Sequence, residues 1–259
     1  HGHFDSLDSD GFTVTGASGY YNVNRNNEPY VGWCWKESAT SGFDIVAYTG
    51  NATNRTISHS LSAVPHWIII KNRESTSSSA EHWLVYHKGI GNTHGILLNE
   101  TAAKSDDATY FQDTDPTSSV FSIGTADRCN KNSEGNISYI WSEKQGFSKF
   151  GTYTGNSSTN GPFVYLGFRP SLIIGKVASD TNDWFMFDNK RSTFNPVDDS
   201  IYPNTDAAEN TNHIIDFLSN GFKIRDSDGT VNSTGNTYIF AAFAESPFVN
   251  SKKIPNNAR

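Results

Sequence analysis

Carboxylates close together in sequence are the first residues to test for chemistry. Asp106-Asp107, Asp113 with Asp115, Asp198-Asp199 and Asp226 with Asp228 stand adjacent or one apart. Glycoside hydrolysis uses two carboxylates facing each other across about 5–9.5 Å, usually from different strands. Neighbours in a polar loop do not imply that geometry. Asp in such loops bonds its own backbone amides, so turn formation is the reading these pairs carry. Asp226-Ser227-Asp228-Gly229 and Asp8-Ser9-Asp10-Gly11 open like a calcium loop, but position twelve is Thr237 in one and Gly19 in the other where Glu is needed. A Ca²⁺ ion held by some other loop arrangement stays open, and no other cofactor is expected.

Histidines come next. His59, His66, His82, His87 and His94 cluster within one third of the chain, and the sister segment has Val164, Ser171, Asp183 and Asp188 opposite the first four. His82 and His87 are five apart, which puts them on opposite faces of a strand, so they read as solvent-facing residues flanking Trp83 and Tyr86 and not as a Zn²⁺ pair. Neither a Gly-x-Ser-x-Gly elbow, a phosphate-binding glycine loop nor a His-Glu-x-x-His motif occurs. No nucleophile set emerges, and the expected function is non-catalytic.

Aromatic residues are then the candidates for recognition. Trp33, Trp35, Trp67, Trp83, Trp141 and Trp184 lie mostly in strand patterns, where they serve a core. A ring that stacks on a sugar stands on a loop or open face beside amide and carboxylate groups. Tyr20-Tyr21 before Asn22, Tyr110-Phe111 before Gln112-Asp113, and Phe194-Asn195 fit that pattern, so Tyr20, Tyr21, Tyr110, Phe111, Asp113, Phe194 and Asn195 are the expected binding residues.

The elements that position these residues follow from an internal repeat. From Tyr48 to Lys71 and from Tyr153 to Lys176 the chain aligns without a gap, about 105 residues apart. Tyr48-Thr49-Gly50-Asn51 falls on Tyr153-Thr154-Gly155-Asn156, Leu61 on Leu166, Pro65 on Pro170, and Lys71 on Lys176. Such self-similarity marks a tandem array. Ser9-Asp10-Gly11-Phe12-Thr13-Val14 likewise matches Ser219-Asn220-Gly221-Phe222-Lys223-Ile224, and Tyr30 to Trp35 matches the aromatic strand from Tyr238 to Phe243. Residues 1–40 therefore read as the closing strands of a preceding partial repeat, followed by repeats at 41–145 and 146–249 and a C-terminal tail at 250–259. The array is expected to begin upstream. The first full repeat looks too short after Tyr139 to reproduce the closing strand, which is expected to be truncated or bent.

Strands are expected at Phe43–Tyr48, Trp67–Lys71, Trp83–Tyr86, Val120–Ile123 and Ile137–Trp141, and in the second repeat at Phe150–Tyr153, Phe163–Leu166, Leu172–Lys176, Trp184–Phe187, Phe222–Ile224 and Thr237–Phe243. Ile214 to Leu218, Ala102-Ala103 and Ala207-Ala208 suit single helical turns. Aromatics make up 13% of the chain against 36% hydrophobic residues overall. With turn signals about every ten residues, that mixture predicts an all-β fold of tandem antiparallel β-sandwich units, jelly-roll or lectin-like, with few short helices. The formal net charge of −7 offers no field for nucleic acid. No apolar run reaches the roughly 20 residues of a membrane-spanning helix. Cys34 in an aromatic strand and Cys129 in a polar turn are not expected to pair.

Several strings resemble virion structural and tail-fibre proteins of marine bacteriophages. They include Pro65-His66-Trp67-Ile68-Ile69-Ile70-Lys71, Trp83-Leu84-Val85-Tyr86-His87-Lys88, Lys149 to Asn156, Gly167-Phe168-Arg169-Pro170, Asp216 to Lys223, and the closing Ile254 to Arg259. Proteins of this type commonly end in such a tail, so residue 259 reads as the C-terminus. The resemblance spans nearly the whole chain and implies a β-rich adhesion-type module on the virion exterior. It supplies no catalytic residues. The implied partners are other copies of the chain, as a homotrimer, other virion proteins, and a bacterial surface glycan or protein. Three alternatives stand beside host attachment: a head-decoration or fibre-shaft module without a receptor, a polysaccharide-degrading virion enzyme, and a bacterial adhesin or lectin of non-viral origin.

Overall fold

The repeated Tyr-Thr-Gly-Asn string ends a strand in both repeats and straps it to a one-turn helix. In the first repeat the Tyr48 hydroxyl donates to the Cys129 carbonyl at 2.7 Å, and the Asn51 amide donates to Asn130 Oδ1 at 2.9 Å. In the second, Tyr153 donates to the Val231 carbonyl at 2.7 Å and the Asn156 amide to Asn232 Oδ1 at 2.8 Å. Glycine is obligatory between them: a Cβ on Gly50 would stand 2.0 Å from the Lys131 carbonyl oxygen, and one on Gly155 2.2 Å from that of Ser233. The motif is kept by packing. Tyr153 is buried and stacks on Tyr238 with ring centroids 4.8 Å apart. Removing only its hydroxyl, by Tyr153→Phe, leaves a buried carbonyl without its donor, and urea unfolding is expected to record a loss of about 1–2 kcal/mol.

The computed structural model describes residues 3–9, 11–16, 23–75, 77 and 80–245. The chain divides into two compact units, residues 1–36 and 37–259. In the smaller, β1 (His3–Leu7) and β2 (Phe12–Thr15) form an antiparallel hairpin. Residues 30–35, expected as an aromatic strand, form none.

In the larger unit, the first repeat contributes β3 (Phe43–Thr49), β4 (Arg55–Ser58), β5 (Trp67–Asn72), β6 (Trp83–His87), β7 (His94–Leu97), β8 (Ser105–Asp106), β9 (Val120–Ile123) and β10 (Gly135–Trp141). One-turn helices α1 (Ala108–Phe111) and α2 (Asp127–Asn130) lie between them. The strands make a six-stranded sheet, β3-β10-β5-β6-β7-β8, and a two-stranded one, β4-β9. The second repeat contributes β11 (Ser148–Thr154), β12 (Phe163–Tyr165), β13 (Pro170–Val177), β14 (Trp184–Asp188), β15 (Ile215–Leu218), β16 (Gly221–Ile224), α3 (Gly229–Asn232) and β17 (Thr237–Ala244). Its sheets are β11-β17-β13-β14 and β12-β16-β15. All the named strand pairs are antiparallel. Among the described residues the fold is all-β, with sandwiches, three one-turn α-helices and a 3-10 turn at Lys88–Ile90.

Alternation at period two fills each sandwich. Val164, Phe217 and Phe222 from the small sheet meet Tyr153, Ile173, Phe185 and Phe240 from the large one in the core of the second repeat. Ile57, Phe121, Ile68, Leu84 and Ile140 do the same in the first. Three expectations need correction. Ile214 to Leu218 does not make a helical turn: Ile215 and Phe217 point into the core from β15, and the strand pairs β16. Ala102-Ala103 and Ala207-Ala208 are irregular. The closing strand of the first repeat is not truncated, because β10 pairs β3 from Gly135↔Thr49 to Trp141↔Phe43, as β17 pairs β11 from Thr237↔Thr154 to Phe243↔Ser148. The copies are simply closer together there.

The large sheets of the two repeats also pack on each other. Trp67 lies 6.0 Å from Phe150 and 4.7 Å from Trp141. Trp184 Nε1 donates to the Leu97 carbonyl at 2.9 Å, and Lys176 Nζ to the Thr101 carbonyl at 3.0 Å. Residues on the face of the second sheet that points away from its own core, Ile174, Trp184, Ile239, Ala241 and Phe243, are buried too. Burial lowers the pKa of the Lys176 ammonium to about 8 against the pull of Asp183 and Asp180, and its amine is held by the Thr101, Val177 and Asp180 carbonyls.

Candidate functional site

The small sheet of the second repeat shows what alternation leaves on the outside. Val164, Phe222 and Phe217 point inward, so Phe163 and Tyr165 on β12 point outward and are 46% and 60% exposed. At i and i+2 on one strand they stand about 7 Å apart on a common face. Register continues the rows across the sheet: Phe163 is opposite Lys223, which is opposite Asp216, and Tyr165 is opposite Gly221, which is opposite Leu218. Gly221 supplies no side chain, and a Cβ there would stand 2.1 Å from the Val164 carbonyl oxygen and 3.1 Å from the Phe163 ring.

Charged groups frame the rings. The Lys149 amine, from β11, sits 5.3 Å from the Tyr165 ring centroid and donates to the Tyr165 carbonyl at 2.9 Å. Lys223 Nζ donates to the Gly161 carbonyl at 2.7 Å, and Arg225 pairs with Asp216 at 3.2 Å. An ammonium against an aromatic face is a favourable contact that also fixes the ring. The result is two accessible rings, that of Tyr165 held by Lys149, bordered by hydrogen-bonding groups, an arrangement suited to stacking on the apolar faces of sugars while polar neighbours take their hydroxyls.

Sequence reasoning placed Phe163 and Tyr165 in a strand and looked for recognition elsewhere. The signal was available. The first repeat carries Ser58 and Ser60 at the corresponding positions, while the inward positions match as His59 with Val164 and Leu61 with Leu166. The exchange of two serines for two rings on the outward face is not required by either core.

The expected binding residues among those described stand in separate elements. Tyr20 and Tyr21 lie outside the described residues. Tyr110 and Phe111 correct the loop expectation: they are buried in α1 and belong to the first core, with no ring face available. They fold inward because Asp107 caps the turn, accepting from the Thr109 amide at 2.9 Å, and Gln112 at φ 57° and Asp113 at φ 47° end it. Asp113 is exposed. Phe194 is 83% exposed. The Asn195 amide completes the edge of β15, donating to the Phe217 carbonyl at 3.0 Å and accepting from the Phe217 amide at 2.9 Å. Residues 195–197 thus flank β15, about 14 Å from β12 at ordinary strand spacing.

One member or both of three carboxylate pairs, Asp107, Asp199, Asp226 and Asp228, are engaged locally. Asp228 caps α3, accepting from the Thr230 amide at 2.7 Å, and Asp226 accepts from the Asp228 amide at 3.0 Å and contacts His213 at 3.3 Å. Burial opposes the Asp228 carboxylate, but its Thr230 bonds and His213 outweigh that and lower its pKa. Among the described residues no group of three or more His, Cys, Asp or Glu side chains could hold a metal ion. His87 corrects the solvent-facing expectation. It is 1% exposed between the repeats, with Nε2 3.0 Å from the Phe240 carbonyl and Nδ1 accepting from the Gly89 amide at 3.0 Å. Both cysteines are free, Cys34 exposed and Cys129 buried, and burial pushes the Cys129 thiol up to about 12. No helix among the described residues is long and apolar enough to cross a membrane.

Comparison with known proteins gives one family. A family model described as "Domain of unknown function (DUF7483)" matches residues 1–247. No curated protein and no solved structure matches the chain.

Proposed function

The chain belongs to the DUF7483 family, and from there we propose that it is a non-catalytic module of a virion appendage, of tail-fibre type, that attaches to a bacterial surface glycan through the outer face of β12-β16-β15. The observation that carries this reading is the pair Phe163 and Tyr165, exposed on a sheet whose opposite face is fully packed. The likeness of the sequence to phage fibre proteins supports the exterior location and the host surface as target. A weak single site is consistent with assembly as a trimer beside other virion proteins, since linked sites gain through effective concentration.

Binding of the full chain to a panel of bacterial surface polysaccharides tests it. The double variant Phe163→Ala/Tyr165→Ala is expected to lose roughly 10- to 100-fold in affinity, at about 1 kcal/mol or somewhat more per ring, with an unchanged melting temperature because neither ring serves the core. Wild-type protein that binds no glycan and no host cell would leave a purely structural module. Cleavage of a polysaccharide, abolished by one carboxylate substitution, would make the protein an enzyme and end the proposal.

A further inference from the structure

The hairpin of residues 3–15 repeats the hairpin β15-β16 pair by pair. Leu7↔Phe12 and Phe4↔Val14 in one correspond to Phe217↔Phe222 and Ile215↔Ile224 in the other, once a bulge between Phe4 and Ser6 is allowed for. In the second repeat those four positions are 0–1% exposed, because the sheet β11-β17-β13-β14 lies over them. In the small unit Phe4 is 60%, Leu7 87% and Phe12 39% exposed. The Phe4 and Phe12 rings touch each other, 5.1 Å apart, and line a groove of about 950 Å³ with Leu7, Val14 and Trp33. The Trp33 indole N–H in that groove is buried and has no acceptor.

We propose that this groove is the open half of a third sandwich core, and that it docks one further sheet layer of the repeat's own kind, with strands like β11, β13 and β14, supplied by the same polypeptide. The neighbouring repeat specifies the occupant: an antiparallel sheet whose inner positions alternate aromatic and aliphatic side chains, as Tyr153, Ile173, Phe185 and Phe187 do. A second copy of the chain is a poor source, since its own sheet face of that kind is already filled by Phe217 and Phe222. Exposed apolar clusters of this size on a folded chain ordinarily mark a covered surface.

The test is an extension of the full chain in which a copy of residues 146–212 is fused ahead of His1. Hydrogen exchange at residues 12–15 and 30–35 is expected to slow at least 10-fold relative to the 259-residue chain, and Trp33 emission to shift to shorter wavelength. Leu7→Asp, expected to leave the melting temperature of the 259-residue chain unchanged, is expected to lower that of the hairpin region in the extended chain. Unchanged exchange in the extension would overturn the proposal. So would a dimer or trimer of the 259-residue chain, measured by light scattering, that Leu7→Asp dissociates, because the groove would then belong to an interface between copies. Neither readout involves Phe163, Tyr165 or any glycan.

Discussion

Replacing Asn232 with leucine is expected to lower the unfolding free energy by about 3–5 kcal/mol. The side chain is fully buried, at 0% exposure, in α3. Its Oδ1 accepts from the Asn156 amide at 2.8 Å. Its Nδ2 donates to the Ser158 carbonyl at 2.8 Å and the Asp226 carbonyl at 2.6 Å. Leucine has a similar volume, so the change removes bonds and leaves little cavity. One backbone amide and two carbonyls then lose their partner, each at about 1–3 kcal/mol. Asn130 occupies the same position in the first repeat, accepting from the Asn51 amide and donating to the Thr53 and Gly124 carbonyls, both at 2.7 Å. Asn130→Leu is expected to cost as much. Urea titrations followed by tryptophan fluorescence measure both, and a loss under 1 kcal/mol at either site would refute the strap as a main constraint.

The second large effect is an acid-driven loss of stability through His87. Burial dominates the shift of its pKa to about 4, opposed by the bond to the Phe240 carbonyl and aided by His66. The ring is held neutral, with Nε2 donating and Nδ1 accepting. In the unfolded chain the same group titrates near 6.5. Above that pH neither state binds the proton and the contribution is complete. As pH falls from 6.5 towards 4 only the unfolded chain is protonated, so stability declines, by about 3 kcal/mol for this residue. Below about 4 the folded form titrates as well and the decline from His87 stops. His59 and His66 are also lowered, mainly by burial, and add to the slope in the same direction. His87→Gln can keep a donor for Phe240 and an acceptor for Gly89 without titrating. Unfolding free energies between pH 7 and 4.5 are expected to fall much less steeply in that variant; parallel curves would show that His87 is not the titrating group.

The layers were legible because alternation and the repeated motif agree. Every expected strand from Phe43 to Phe243 forms, since each places bulky residues at period two between turn residues. Asn130 and Asn232 were missed although their spacing, 102 residues, is that of the closing strands. The gapless stretch at an offset of 105 ends at Lys71 and Lys176, and the offset has changed to 102 by the helices. Tyr110 and Phe111 misled because polar neighbours suggested a loop, whereas a capped single turn buries both rings. The burial of His87 was not legible at all. Strand periodicity tells which face a side chain occupies, but not that a second sheet will lie against that face. The outward pair Phe163 and Tyr165 was legible in principle, by subtracting one copy from the other.

The back-to-back contact has an evolutionary corollary. A lone repeat cut from this array would present a tryptophan- and phenylalanine-rich wall to water and would clump before it could function. Exchange of either repeat by itself is therefore expected to succeed only with a replacement whose outer sheet face fits the one left behind.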